Sequence, residues 1–225
     1  MLEFDIAAAQ AAADWRADNR QIAALLSAVA NSPLFKGAIL IALGLAAVAG
    51  KGKPLLLARD GFLLRFAGTS VLAIFIGRLL QLGLPFRERP LINLFAVSEN
   101  SAFARESSFP SDHAVYMTAM AVSIFTVDRK LGVAALIWTT LVILLPRFLL
   151  NYHYPTDLLA GAALGAVIAA IVMRARAPQG VKLALARAEQ RSPEIVYPIC
   201  FLFGVAAATN FEAARAAVSG FIELF

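Results

Sequence analysis

The chain holds only two histidines, His113 and His153, and both stand among residues able to handle phosphate. His113 closes the run PSDH, two residues after Ser111. His153 follows Arg147 by six residues and precedes Asp157 by four, and Arg89 opens the pair RP upstream. Two arginines that stay charged clamp a phosphoryl group with forked hydrogen bonds, which a mobile ammonium does less tightly. A hydroxyl and the backbone N–H groups at a helix start add donors. One histidine can attack phosphorus while a carboxylate fixes its other nitrogen, and the second can protonate the departing oxygen. Phosphoryl transfer rests on positioning and charge stabilisation, and this inventory supplies both without a metal ion.

The elements that must position these residues are set by composition. Of 225 residues, 60% are hydrophobic and 16% charged, with a mean hydropathy of +0.73. Soluble domains run at roughly 45–50% apolar and about 25% charged, so a soluble fold is excluded, as are a disordered chain and a collagen-like one. A disulfide scaffold is excluded because Cys200 is the only cysteine. A bilayer crossing takes about 20 mostly apolar residues. By that ruler the chain reads as an all-α polytopic membrane protein, a bundle of about six transmembrane helices. Its spans run from Leu34 to Ala49, Phe66 to Leu84, Ala114 to Val127, Leu131 to Leu150, Leu158 to Met173, and from Ile195 to at least Thr209.

Residues 1–225 are thus expected to form one membrane-embedded domain, with residues 1–33 as an amphipathic N-terminal segment, 34–209 as the core and 210–225 as the end of the last span or an interfacial tail. Residues 3–31 mix Asp5, Asp14, Arg16, Asp18 and Arg20 with Ile6, Trp15, Ile22, Leu25 and Leu26, which reads as one or two helices lying at the interface. A secretory leader opens on basic residues, whereas this start carries Glu3 and Asp5, so the segment is expected to be retained. The loops beside spans one to two, three to four and five to six hold 11 of the 20 basic residues and four of the 15 acids. The positive-inside rule places that side in the cytoplasm and both termini outside. The net charge of +5 is then a matter of topology, with no nucleic-acid partner implied.

RP at 89–90, PSDH at 110–113 and Arg147 with His153 and Asp157 resemble the three-part signature of the type-2 phosphatidic acid phosphatases, KxxxxxxRP, PSGH and SRxxxxxHxxxD. The resemblance covers about residues 82–157 by motif. It implies that His153 is a nucleophile forming a phosphohistidine, that Asp157 orients and polarises it, and that His113 is the general acid. It further implies that Arg89, Arg147 and Ser111 bind phosphate, with donors from the backbone around Asp112, and that neither metal nor cofactor is needed. Three positions depart from the pattern. Leu82 stands where the lysine falls, with Arg87 as the expected substitute; Asp112 replaces the glycine; Pro146 replaces the serine. Asp112, with the outward N-terminus, looks like the undecaprenyl-diphosphatase branch. The implied activity is removal of phosphate from a lipid phosphate or diphosphate, undecaprenyl diphosphate first, at the outer face of a bacterial inner membrane. Phosphatidylglycerol phosphate, phosphatidic acid and lipid A phosphates are the alternative substrates.

A protein that holds an anion without hydrolysis is the reading from another class, and it gives Asp157 no task. Plainer roles are expected elsewhere. Arg78 snorkels or pairs. Glu88, Glu99, Arg105 and Glu106 make a solvated loop face, and Tyr152 and Tyr154 belong to an aromatic belt. Gly161 and Gly165 allow close helix packing inside the monomer. Pro146 kinks or ends span four, freeing backbone groups near the site.

Overall fold

The computed structural model describes residues 3–49, 56, 58–95 and 106–209, and among these it is helical with no strand. Its helices are α1 (Glu3–Asp18), α2 (Arg20–Asn31), α3 (Ile39–Val48), α4 (Ala58–Gly83), α5 (Pro90–Phe95) and α6 (Asp112–Val127). They continue with α7 (Arg129–Trp138), α8 (Leu145–Leu149), α9 (Pro155–Arg174), α10 (Gln179–Arg191) and α11 (Pro193–Ala208). Wider π-helical turns at Leu34–Ala38 and Thr139–Leu144 lead into α3 and join α7 to α8. The expected all-α membrane architecture is the one that forms. The tail 210–225, Glu99 and Arg105 lie outside the described residues.

Among the described residues, three helical stretches are long and apolar enough to cross a bilayer: Asp60–Gly83, Arg129–Leu149 and Pro155–Arg174. A fourth is reached if α2 and the stretch Leu34–Val48, bent by 67° to one another, count as one span. The expected number was about six. At 16 residues each, α6 and α11 rise only about 24 Å. The shortness of α6 has a physical setting, since α4, α7 and α9 surround it with protein. Val115, Tyr116, Met117, Ala119, Met120 and Ile124 are all wholly buried, as expected of a helix that is apolar on every side. Ser123 Oγ is satisfied within the helix, donating to the Ala119 carbonyl at 2.8 Å, and Tyr116 OH donates to the Ala207 carbonyl of α11 at 2.8 Å.

Gly161 and Gly165 make the contact that fixes α9 against α6. A Cβ at Gly161 would lie 2.7 Å from the Ser111 carbonyl oxygen and 2.8 Å from Ala114 Cβ, and one at Gly165 would overlap the Val115 carbonyl. The pair therefore packs within the monomer. Gly165→Leu is expected to cost about 1–3 kcal/mol or more through overpacking. Gly68→Leu, at a position with open space around it, is expected to be close to neutral. Thermal unfolding in detergent compares the two, and equal midpoints would contradict the packing argument.

The two ends of the bundle carry different sets of polar groups. At one end Lys182 Nζ meets Asp60 at 2.6 Å, Arg65 donates to the Met173 carbonyl at 2.7 Å, and Asp128 caps α7 by accepting from the Lys130 and Leu131 N–H groups at 3.1 Å. The other end carries the starts of α6 and α9, the end of α8 and both histidines.

Candidate active site

α8 ends three residues after Pro146, and the chain turns through Leu150–Tyr154 into α9. Asn151 makes that turn at φ +60°, a left-handed conformation that asparagine tolerates better than most residues. Its carbonyl accepts from the Leu91 N–H at 2.8 Å, and its Nδ2 donates to the Ala9 carbonyl at 2.9 Å, which stitches the turn to α5 and α1. The N–H groups of Tyr152 and His153 both donate to the Arg147 carbonyl, at 2.9 and 3.3 Å. The last motif is thereby folded on itself.

His153 is 2% exposed. Its Nδ1 lies 3.0 Å from the Ser108 carbonyl oxygen and 3.4 Å from Ser108 Oγ, while Asp157 Oδ2 is 3.9 Å away. The Nδ1 proton is thus directed at a backbone carbonyl. Asp157 reaches the ring chiefly through Ser108, whose Oγ donates to Asp157 Oδ2 at 2.5 Å. The Tyr154 N–H also donates to that oxygen at 2.9 Å, so the carboxylate closes the first turn of α9 as well. With Nδ1 occupied, Nε2 presents its lone pair to Arg89 Nη1 at 3.4 Å. Burial pushes the His153 pKa well below 6.5, and the Arg89 charge lowers it further, so the ring is held as the free base.

Arg89 is 5% exposed, and its Nη2 lies 3.4 Å from Glu106 Oε2. Glu106 is held by Arg78 at 2.6 Å, and Arg78 also donates to Gln81 at 2.8 Å. Glu106 is therefore a bridge between two guanidinium groups where a solvated loop face was expected, and Arg78 takes the pairing alternative. Arg147 is buried; its Nη1 donates to the Ile143 carbonyl at 3.0 Å and its Nη2 to the Ala30 carbonyl at 3.4 Å. The Ile143 carbonyl belongs to the π-helical turn just before Pro146, where freed backbone groups were expected. The charge of Arg147 acts on both histidines, and that of the buried Lys36 acts on His113.

Asp112 turns its carboxylate to its neighbour. Oδ1 accepts from the His113 N–H at 2.7 Å and lies 2.8 Å from His113 Nδ1. His113 Nε2 is left buried with no hydrogen-bond partner among the described residues. The extra negative charge in PSDH is thus directed at fixing the imidazole. The Ser111 hydroxyl accepts from the Ala114 N–H at 3.4 Å as the cap of α6. Its expected place among the phosphate donors is shared with that capping contact.

Leu82, at the lysine position, is 79% exposed. Arg87, its expected substitute, is engaged behind Asp157. Nη1 donates to Asp157 Oδ1 at 2.6 Å and to Thr156 Oγ1 at 2.9 Å, and Nη2 donates to Asp5 Oδ2 at 2.7 Å. Its guanidinium also lies over the Tyr154 ring at 4.3 Å. Tyr154 OH accepts from Asn93 at 3.0 Å, and Tyr152 packs with Ala23, Ala30 and Leu150, so neither is a simple belt residue.

Ser108 and Thr156 were not singled out from the sequence, and Asp5 and Glu106 were named there only for an interfacial helix and a solvated loop face. Ser108 had a signal, standing two residues before PSDH. Asp5 had none, since it meets Thr156 across 151 residues of chain.

Three segments distant in sequence thus bring two buried arginines, two fixed imidazoles and a carboxylate to one end of a helical membrane bundle, the arrangement of a phosphate-handling membrane enzyme. A profile of the PAP2 superfamily matches residues 62–180, and the chain belongs to that family of phosphate-ester hydrolases. The decaprenylphosphoryl-5-phosphoribose phosphatases of Mycobacterium tuberculosis strains CDC 1551/Oshkosh and ATCC 25618/H37Rv are each 34% identical to it over 134 residues, covering 60% of this chain and 68% of theirs. No solved structure matches the chain.

Proposed function

We propose that the protein removes a terminal phosphate from a polyprenyl-phosphate-linked lipid through a phosphohistidine on His153. The observation that carries the proposal is the facing pair His153 Nε2 and Arg89 Nη1 at 3.4 Å, with Nδ1 tied to Ser108. In the first step the Nε2 lone pair forms a P–N bond as the P–O bond breaks, and the leaving oxygen takes the proton of His113 Nε2. In the second step water attacks phosphorus, His113 Nε2 takes its proton, and the P–N bond breaks to release inorganic phosphate. Arg89 and Arg147 hold the non-bridging oxygens, with Ser111 and the start of α6 as further donors. Asp157 stabilises the positive charge that develops on His153, and Asp112 keeps His113 turned for proton transfer.

The substrate class joins two lines of support. The motifs resemble the undecaprenyl-diphosphatase branch, and the relatives are named for a decaprenylphosphoryl phosphosugar. Both molecules carry a terminal phosphate on a polyprenyl-phosphate headgroup. To this belong about six membrane crossings, as apolar run lengths imply, and, as charge placement implies, the loops rich in Lys and Arg in the cytoplasm and the site at the outer face of a bacterial inner membrane. The test is phosphate release by the detergent-purified protein from undecaprenyl diphosphate, decaprenylphosphoryl-5-phosphoribose, phosphatidylglycerol phosphate and phosphatidic acid. Turnover of a polyprenyl substrate, unaffected by EDTA, is expected. Loss with EDTA would overturn the metal-independent mechanism, and no release from any lipid would favour an anion-binding protein.

A further inference from the structure

The N-terminal helix places a buried carboxylate directly behind Asp157. Asp5 is 0% exposed and lies on the first turn of α1, whose other buried residues are Ala9, Ala12 and Ala13. Small side chains on that face bring the α1 backbone close to the turn before α9, close enough for Ala9 to accept from Asn151 at 2.9 Å. The larger apolar residues Phe4 and Ile6 point outward. Asp5 Oδ2 accepts from Thr156 Oγ1 and from Arg87 Nη2, both at 2.7 Å, and Oδ1 accepts from the Thr156 N–H at 3.3 Å. Thr156 is the second residue of α9, so Asp5 satisfies a free N–H group at the positive end of that helix from a different part of the chain.

We propose that Asp5 is a positioning residue for the phosphoryl-transfer site, acting through Arg87 and Thr156 on Asp157 and so on His153. The inference rests on the phosphohistidine reading above. Arg87 is shared between two carboxylates, Asp5 and Asp157. The three groups together leave one net negative charge behind His153. As Nε2 attacks phosphorus the ring becomes positive, and that net charge is what stabilises it. Neutralising Asp5 leaves Arg87 to Asp157 alone and brings the net charge behind the ring to zero. Hydrogen bonding from Thr156 and Arg87 outweighs the effect of burial and holds the Asp5 carboxyl below 3.8, so the charge is present wherever the enzyme works.

The test compares Asp5→Asn, Asp5→Glu and His153→Ala with the natural protein on the best polyprenyl substrate. Asp5→Asn is expected to lower kcat by up to about 10²-fold with KM changed much less, the scale of a mispositioned catalytic group. The acid limb of kcat/KM is expected to move to lower pH, because an imidazolium with less negative charge nearby gives up its proton more readily. Asp5→Glu is expected to restore much of kcat and the natural pH profile. Wild-type kcat and an unmoved acid limb in Asp5→Asn, beside an inactive His153→Ala, would overturn the role of Asp5 alone. Turnover by His153→Ala would overturn the phosphohistidine reading first. Should Asp5→Asn yield no folded protein, Thr156→Val removes the shared hydroxyl and is expected to lower kcat in the same direction while leaving the acid limb in place, since Asp5 keeps its charge and its pair with Arg87. Wild-type kcat in that variant would likewise overturn the proposal.

Discussion

His153→Ala will lower kcat by about 10⁴-fold or more, the scale on which removal of a covalent nucleophile leaves only binding and charge stabilisation. Among the described residues no other side chain is placed to take over. Ser108 Oγ, the nearest hydroxyl, is held on Asp157 Oδ2 at 2.5 Å. Alanine also leaves the Ser108 carbonyl without its 3.0 Å partner and opens a cavity at a site 2% exposed, which together cost about 2–4 kcal/mol of stability. His153→Asn separates the two effects, since its amide can still donate towards Ser108 while offering no lone pair to phosphorus. Asparagine is therefore expected to be as inactive as alanine but closer to the natural protein in unfolding midpoint. Rapid quenching of the natural protein with labelled lipid phosphate should trap a phosphoenzyme, and neither variant should form one. A variant that still turned over, or one that trapped label on another residue, would move the covalent step away from His153.

What could be read from the sequence were features carried by local spacing. Arg147, His153 and Asp157 lie within 11 residues, and their turn is closed by hydrogen bonds inside that run, to the Arg147 carbonyl and from the Tyr154 N–H. Gly161 and Gly165 announced their packing because a spacing of four places both on one helix face. Contacts across the fold carried no such signal. Asp5 sits in a segment whose charges looked suited to an interface, and only the approach of α1 to the turn before α9 reveals it as buried. The partner of His153 Nδ1 was expected four residues on, at Asp157, yet the nearer acceptor is the Ser108 carbonyl, brought in from 45 residues upstream. A sequence pattern registers side chains and is silent on a backbone carbonyl. The ruler of about 20 residues per span also met its limit at α6, whose apolar surface faces other helices and so need not match a bilayer.

His113→Ala will divide substrates by their leaving groups. If His113 Nε2 supplies the proton to the departing oxygen, an alkyl phosphate, whose leaving oxygen is strongly basic, should lose about 10²–10⁴-fold in kcat, the usual worth of a general acid. A nitrophenyl phosphate, whose oxygen departs without a proton, should lose far less in the step that forms the phosphoenzyme. The geometry supports this division. Asp112 Oδ1 lies 2.8 Å from Nδ1, so the second proton of the ring belongs to Nε2, which the described side chains leave without a partner. The same nitrogen must take a proton from water in the second step, and removing it slows hydrolysis of the phosphoenzyme whatever the leaving group was. His113→Ala should therefore give a burst of nitrophenol close to one equivalent per site, followed by slow turnover, where the natural protein shows a smaller burst or none. Uniform loss across both substrate types without a burst would remove His113 from proton transfer and leave it a structural residue beside Asp112.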